Sequence, residues 1–108
     1  MEIDVSKLKR MQTLHVAFLL IDLREEVAFR EGHIRGAFNI PKAEFLKRVG
    51  REVPKKDTPI VVYSEDGTGV EDILNPAENG GYINIVNLEG GFTDVKKLAP
   101  TILSCESK

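Results

Sequence analysis

Apolar residues fall in short runs separated by amphipathic stretches, and this alternation predicts strands and helices in turn. Val16–Leu23 is aliphatic or β-branched almost throughout, as expected of a strand covered on both faces. Ile60–Tyr63, following Pro59, repeats that pattern, and Ile83–Leu88 reads as the last strand. Ala37–Ile40 supplies another strand, and Ile3 opens the sheet. Strands alternating with helices predict an α/β fold of three layers: a central parallel sheet of about five strands flanked by helices.

The helices read from spacing and end signals. Asp4 is placed to cap a helix whose apolar face is Val5, Leu8 and Met11. Glu25–Glu31 is a short helix with acids in its first turn, and Gly32 suits the position just past its end. Pro41 suits the first helical position, with Phe45, Leu46, Val49 and Val53 as the buried stripe behind it. Gly67–Gly69 predicts a turn, followed by a helix carrying Val70, Ile73, Leu74 and Ala77 inward. Pro76 interrupts that helix, at a cost of about 3 kcal/mol in a helix interior, so a kink or an end near Leu74–Asn75 is expected. Phe92–Leu98 is the closing helix, and residues 101–108 are expected to form a tail.

Composition narrows the function classes. The chain has 108 residues, 42% hydrophobic and 30% charged, which suits one globular domain with its own core. A net charge of −2 gives no general attraction to nucleic acid or anionic membrane. The longest apolar run, Val16–Ile21, is of strand length, far short of a membrane span, and MEIDVSKLKR has no apolar leader segment. Cys105 has no second cysteine to pair with, so no internal disulfide is expected and a cytoplasmic location is the default. The basic residues Lys42, Lys47, Arg48, Arg51, Lys55 and Lys56 are interrupted by acids and read as a solvated face.

Several motifs occur in a set order: Ile21-Asp22-Leu23-Arg24, then Gly32-His33-Ile34-Arg35-Gly36-Ala37-Phe38-Asn39-Ile40-Pro41, then Pro59–Ser64, Gly81-Tyr82, and Leu88-Glu89-Gly90-Gly91. Each is weak alone, but their order and spacing resemble the rhodanese-like domain, whose members carry sulfane sulfur on a cysteine. The resemblance implies a parallel-sheet fold over nearly the whole chain. It aligns the family's active loop with Ser64-Glu65-Asp66-Gly67-Thr68-Gly69, so that Ser64 stands at the cysteine position. Glu65 stands where an arginine is common, and Gly69 where a second basic residue or threonine often sits. The resemblance further implies that Asp22 and Arg24 tie the strand end to neighbouring loops, with Arg24 at the pocket mouth, and that His33 fixes a turn.

These residues argue against sulfur transfer on the loop itself. A serine hydroxyl is not anionic near neutral pH without an activating base, and it has no sulfur to hold as a persulfide. In the family the loop forms a cradle of N–H groups suited to an anion. Glu65 and Asp66 would oppose an anion there by about 4 kcal/mol each at 4 Å in an effective dielectric of 20, before solvent reduces it. Alternatively they cap the following helix. Hydrolase chemistry lacks the G-x-S-x-G elbow, and neither His15 nor His33 has an orienting partner visible in the sequence. No Cys/His cluster suits a metal, and Gly67-Thr68-Gly69 does not extend into a nucleotide-binding motif, so no cofactor is expected. Cys105 reads as an incidental thiol.

The leading expectation is a non-catalytic binding or regulatory module with a protein or small-molecule partner. The alternative is a thiosulfate or persulfide sulfurtransferase whose cysteine was engineered to serine, or whose sulfur is relayed by a partner's cysteine. A scaffold that acts through its basic helix is the third reading.

Overall fold

Side chains on successive residues of a strand point to opposite faces, and here both faces are covered. In the computed structural model, which describes residues 1–104, β1 (Glu2–Ile3), β2 (Leu19–Asp22), β4 (Ala37–Asn39), β5 (Ile60–Tyr63) and β6 (Ile85–Leu88) form one sheet. Its order is β1-β6-β5-β2-β4, and every pairing is parallel. The helices are α1 (Val5–Thr13), α2 (Glu26–Glu31), α3 (Lys42–Glu52), α4 (Glu71–Asn79) and α5 (Gly91–Leu98). Ile21, Ile60, Val62 and Ile85 meet Phe45 and Val49 of α3 and Ile73, Leu74 and Ala77 of α4. On the other face Leu20, Val61, Tyr63 and Leu88 meet Val5 and Leu8 of α1 and Phe92 and Val95 of α5. The expected three-layer α/β architecture is therefore present.

Local signals explain most boundaries. Asp4 does cap α1, its Oδ1 accepting from the Lys7 N–H at 2.8 Å. β2 begins at Leu19 rather than Val16, because Val16 lies in an exposed turn where His15 takes a left-handed φ of 58°. Pro41 is the cap before α3, one residue earlier than expected. Leu46 is 47% exposed and drops out of the buried stripe, which Phe45, Val49 and Val53 complete. Gly32 follows α2 with extended backbone, not the left-handed turn expected of it. The last sheet strand starts at Ile85, leaving Ile83 exposed.

α4 runs through Pro76 instead of ending before it. Its second half buries Ala77 and delivers Tyr82, whose hydroxyl donates to the Val53 carbonyl at 2.6 Å. Pro76 itself is exposed, and beyond it the Gly80 and Tyr82 N–H groups donate to the Pro76 and Ala77 carbonyls. These contacts offset the bond that proline cannot make.

The expected tail also begins in ordered structure. Pro100–Ile102 forms a 3-10 turn, and β7 (Leu103–Ser104) pairs antiparallel with β3 (His33–Ile34). Buried Ile102 anchors the turn, and its carbonyl accepts from the Arg35 N–H at 2.7 Å. Cys105 lies outside the described residues.

Candidate functional site: the loop after β5

Parallel α/β sheets place ligands beyond the carboxyl ends of their strands, where the strand order reverses. Here that place is the seam between β2 and β5, whose register sets Asp22 level with Tyr63. The Asp22 carboxylate has no solvent contact, so it needs strong partners. Tyr63 donates its hydroxyl to Asp22 Oδ2 at 2.6 Å, and Arg24 bonds the same carboxylate through Nε and Nη2 at 2.9–3.2 Å. The Tyr63 oxygen also accepts from the Ile34 N–H at 3.0 Å, tying β5 to β3. Burial, with the Asp22 charge adding to it, pushes the Tyr63 phenol far above its ordinary range. For Arg24, burial opposes the charge but is outweighed, chiefly by Asp22 and with help from Tyr63 and Glu65, so its pKa stands above the usual value.

Arg24 is engaged on every side. Besides Asp22, it donates to the Gly32 carbonyl and to Glu65 Oε1 at 3.3 Å, and its Cζ lies 3.8 Å from the centre of the Phe92 ring. Its side chain is 7% exposed. Asn39 donates to the Asp22 and Arg24 carbonyls at 2.9 Å each, which fixes the end of β2 against β4.

The loop itself is held from within and from below. Ser64 directly follows β5, and its Oγ accepts from the Gly67 N–H at 2.9 Å while donating to the Thr68 carbonyl at 3.1 Å. Asp66 Oδ1 accepts from the Thr68 N–H at 3.0 Å and hydroxyl at 2.7 Å. The Thr68 hydroxyl and N–H hold the Asp66 carboxyl below the usual carboxylate range. Gly67 and Gly69 take φ of +86° and +75°, which glycine adopts without strain. Gly90 and Gly91 let the loop settle directly on backbone. A Cβ on Gly91 would collide with the Ser64 carbonyl and lie 2.6 Å from the Gly67 nitrogen. Phe92 and Thr93 then donate their N–H groups to the Ser64 and Glu65 carbonyls at 3.0 and 2.8 Å.

Neither acid of the loop caps α4, contrary to one expectation. Val70 occupies the capping position with no side-chain bond, Asp66 turns back onto Thr68, and Glu65 reaches Arg24. Beside Glu65 opens a cavity of about 650 Å³ walled by Arg24, Glu31, Gly32, Glu65, Phe92 and Lys96. His33 is buried behind it, with Nδ1 2.8 Å from the Phe29 carbonyl and its ring stacked on Phe29 at 3.9 Å. His15 lies in the exposed turn after α1, ahead of β2 and so at the other end of that strand from the loop. Asp22, Arg24 and the loop 64–69 thus form one connected network through Glu65, and the side chain of His33, on β3, bonds and stacks on Phe29 beside it.

Sequence reading overlooked Tyr63, which passes for ordinary core in an apolar strand, and Asn87, which is 1% exposed and donates to the Gly67 carbonyl at 3.0 Å. A lone amide inside Ile-Val-Asn-Leu was the available signal for Asn87. Among the described residues no group of three or more His, Cys, Asp or Glu could hold a metal ion. No described helix is long and apolar enough to cross a membrane.

The chain belongs to the rhodanese-like domain family, whose sequence model matches residues 4–98. It is 37% identical over 73 residues to YqhL of Bacillus subtilis, an uncharacterized protein, over 68% of this chain and 56% of that one. The alignment thus spans about half of YqhL's length. The thiosulfate sulfurtransferase PspE of Escherichia coli is 31% identical over 75 residues, covering 69% of this chain and 71% of PspE. In structure, the rhodanese-like domain of the Anabaena protein Alr3790 matches with a TM-score of 0.85 over 99% of this chain and 82% of that one. At 24% identity that likeness speaks for the fold alone.

Proposed function

We propose that this rhodanese-like domain is a non-catalytic binding or regulatory module of the cytoplasm, with the loop 64–69 as its recognition surface. The observation that carries this reading is the state of Ser64, the residue aligned with the family's cysteine. Its hydroxyl is engaged between the Gly67 N–H and the Thr68 carbonyl, and no basic side chain among the described residues bonds it. It locks the loop and has no sulfur to carry. Glu65, whose side chain is 58% exposed, and exposed Asp66 give the loop an acidic outer face that complements a basic group on a partner.

The test is sulfur transfer from thiosulfate to cyanide by the chain as it stands and by Ser64→Cys. The proposal expects no turnover from either folded protein, and charge reversal at Glu65 and Asp66 is expected to abolish partner capture. A second reading is a thiosulfate or persulfide sulfurtransferase with its cysteine engineered to serine, or with sulfur relayed through a partner. It is favoured by the close seating of the loop on Gly90–Gly91 and by the similarity to PspE. Turnover by Ser64→Cys alone would show that the cradle is intact with only the nucleophile missing, and would favour the form of this reading in which the cysteine was replaced.

A further inference from the structure

A second cavity, of about 480 Å³, opens at the amino end of β2, between the end of α1 and the turn into β4. Its apolar wall is Val16, Phe18 and Leu20, and its polar wall is Gln12, His15 and Arg35. No acid lines it, and Arg35 belongs to no ion pair among the described residues. Arg35 Nη2 donates to the Thr101 carbonyl, which steadies the guanidinium. The remaining N–H groups of that fork meet no acceptor among the described residues, and a carboxylate matches such a fork with two parallel bonds. Gln12 Nε2 donates to the Arg35 carbonyl at 2.9 Å, tying the end of α1 to the turn that carries the cation.

Two backbone features shape the opening. Gly36, a further wall residue at φ +90°, has nothing within 4 Å of where a Cβ would stand. His15 closes α1 in the left-handed position that glycine ordinarily fills, its N–H donating to the Gln12 carbonyl and that of Val16 to the Met11 carbonyl. A ring is thus held on the rim against backbone preference, and such strain gathers where a side chain is used. The Arg10, Met11 and Gln12 carbonyls are all taken up by N–H groups, which damps the negative end of α1 beside an incoming anion. A cation without an acid, set against apolar side chains, selects an anion with an apolar body, and the volume is that of a small-molecule site. We propose that this cavity binds a small organic carboxylate, with the carboxylate on Arg35 and His15 and the apolar body laid on Val16 and Phe18 above Gly36. Because the strands run parallel, the cavity and the loop 64–69 lie at opposite ends of the sheet, and the assignment does not depend on what the loop recognises.

The probe is 3-phenylpropanoate, titrated into the full chain and followed by backbone amide resonances. Saturable shifts are expected at residues 12–18 and 35–36, with residues 64–69 unmoved. Acetate, which has the charge without the body, and 3-phenylpropylamine, which has the body with the opposite charge, should each bind at least tenfold more weakly. Arg35→Gln should weaken the probe at least tenfold. His15→Gly is the second variant, because it relieves the left-handed backbone and so cannot fail by unfolding. Its thermal midpoint should rise by about 3 °C while its affinity for the probe falls at least threefold. Equal binding of the amine or of acetate, shifts centred on the loop, or full affinity in Arg35→Gln would each overturn the assignment. So would the absence of any saturable shift at residues 12–18 and 35–36.

Discussion

Tyr63 joins chemistry usually found at active sites to a purely structural duty. Its hydroxyl supplies a donor to the buried Asp22 carboxylate and an acceptor to the Ile34 N–H. Tyr63→Phe strips both at once while leaving the ring in place. We expect a loss of about 1–3 kcal/mol in urea unfolding, because a buried carboxylate and a buried amide each lose a partner. The pH dependence has a definite sign. The native phenol keeps its proton to a higher pH than the unfolded one, which releases it near the ordinary value of about 10. The unfolded state therefore binds fewer protons above that point, and stability falls as pH climbs past about 10. The Tyr63→Phe variant should show a shallower alkaline decline than the parent between pH 8 and 11. The resemblance pointed to Asp22 and Arg24, but Tyr63's part in this network was not legible in the sequence, where tyrosine in a run of valines reads as core.

Among the elements, the turn between β6 and α5 decides whether the loop keeps its shape. Gly91→Ala adds a methyl where the Ser64 carbonyl and Gly67 nitrogen already sit, at a left-handed φ of +57°. Strain and clash together predict a loss of roughly 2–4 kcal/mol, with backbone resonances of residues 64–68 displaced. The β3–β7 pair makes a different prediction. Ile102→Ala removes its buried anchor and should cost about 2 kcal/mol, the low end for such a truncation because the turn sits at the margin of the core. Amide exchange at Arg35, which bonds the Ile102 carbonyl, should quicken in the same variant. Long elements with full periodicity, such as α1 and the central strands, were readable from the sequence. A strand of two residues such as β7 carries no period to read, and Pro76 misled because local propensity was overridden by the burial of Ala77 and Tyr82. The motif order located the loop; it could not reveal that Glu65 would turn to Arg24 instead of capping α4.

At the scale of the molecule, strand order explains why residues from distant stretches of sequence meet. The chain lays β2 and β4 to one side of the sheet and then returns to place β5 against the other flank of β2. That reversal brings Arg24 to Glu65 and leaves the mouth beside Phe92 open. The same order has a consequence for how the domain is made. β1, the earliest strand of this sheet in the sequence, pairs among the described strands only with β6, setting Glu2 opposite Asn87. It cannot take its place until most of the polypeptide has been translated, and α1 can bury Val5 and Leu8 fully only against a helix that comes later still. During synthesis the amino-terminal segment must wait with its apolar face uncovered, and the sheet closes at its edge last. High contact order of this kind slows folding and leaves the nascent chain exposed to association. The amino-terminal segment is therefore the part of this domain whose apolar surface stays open to association longest.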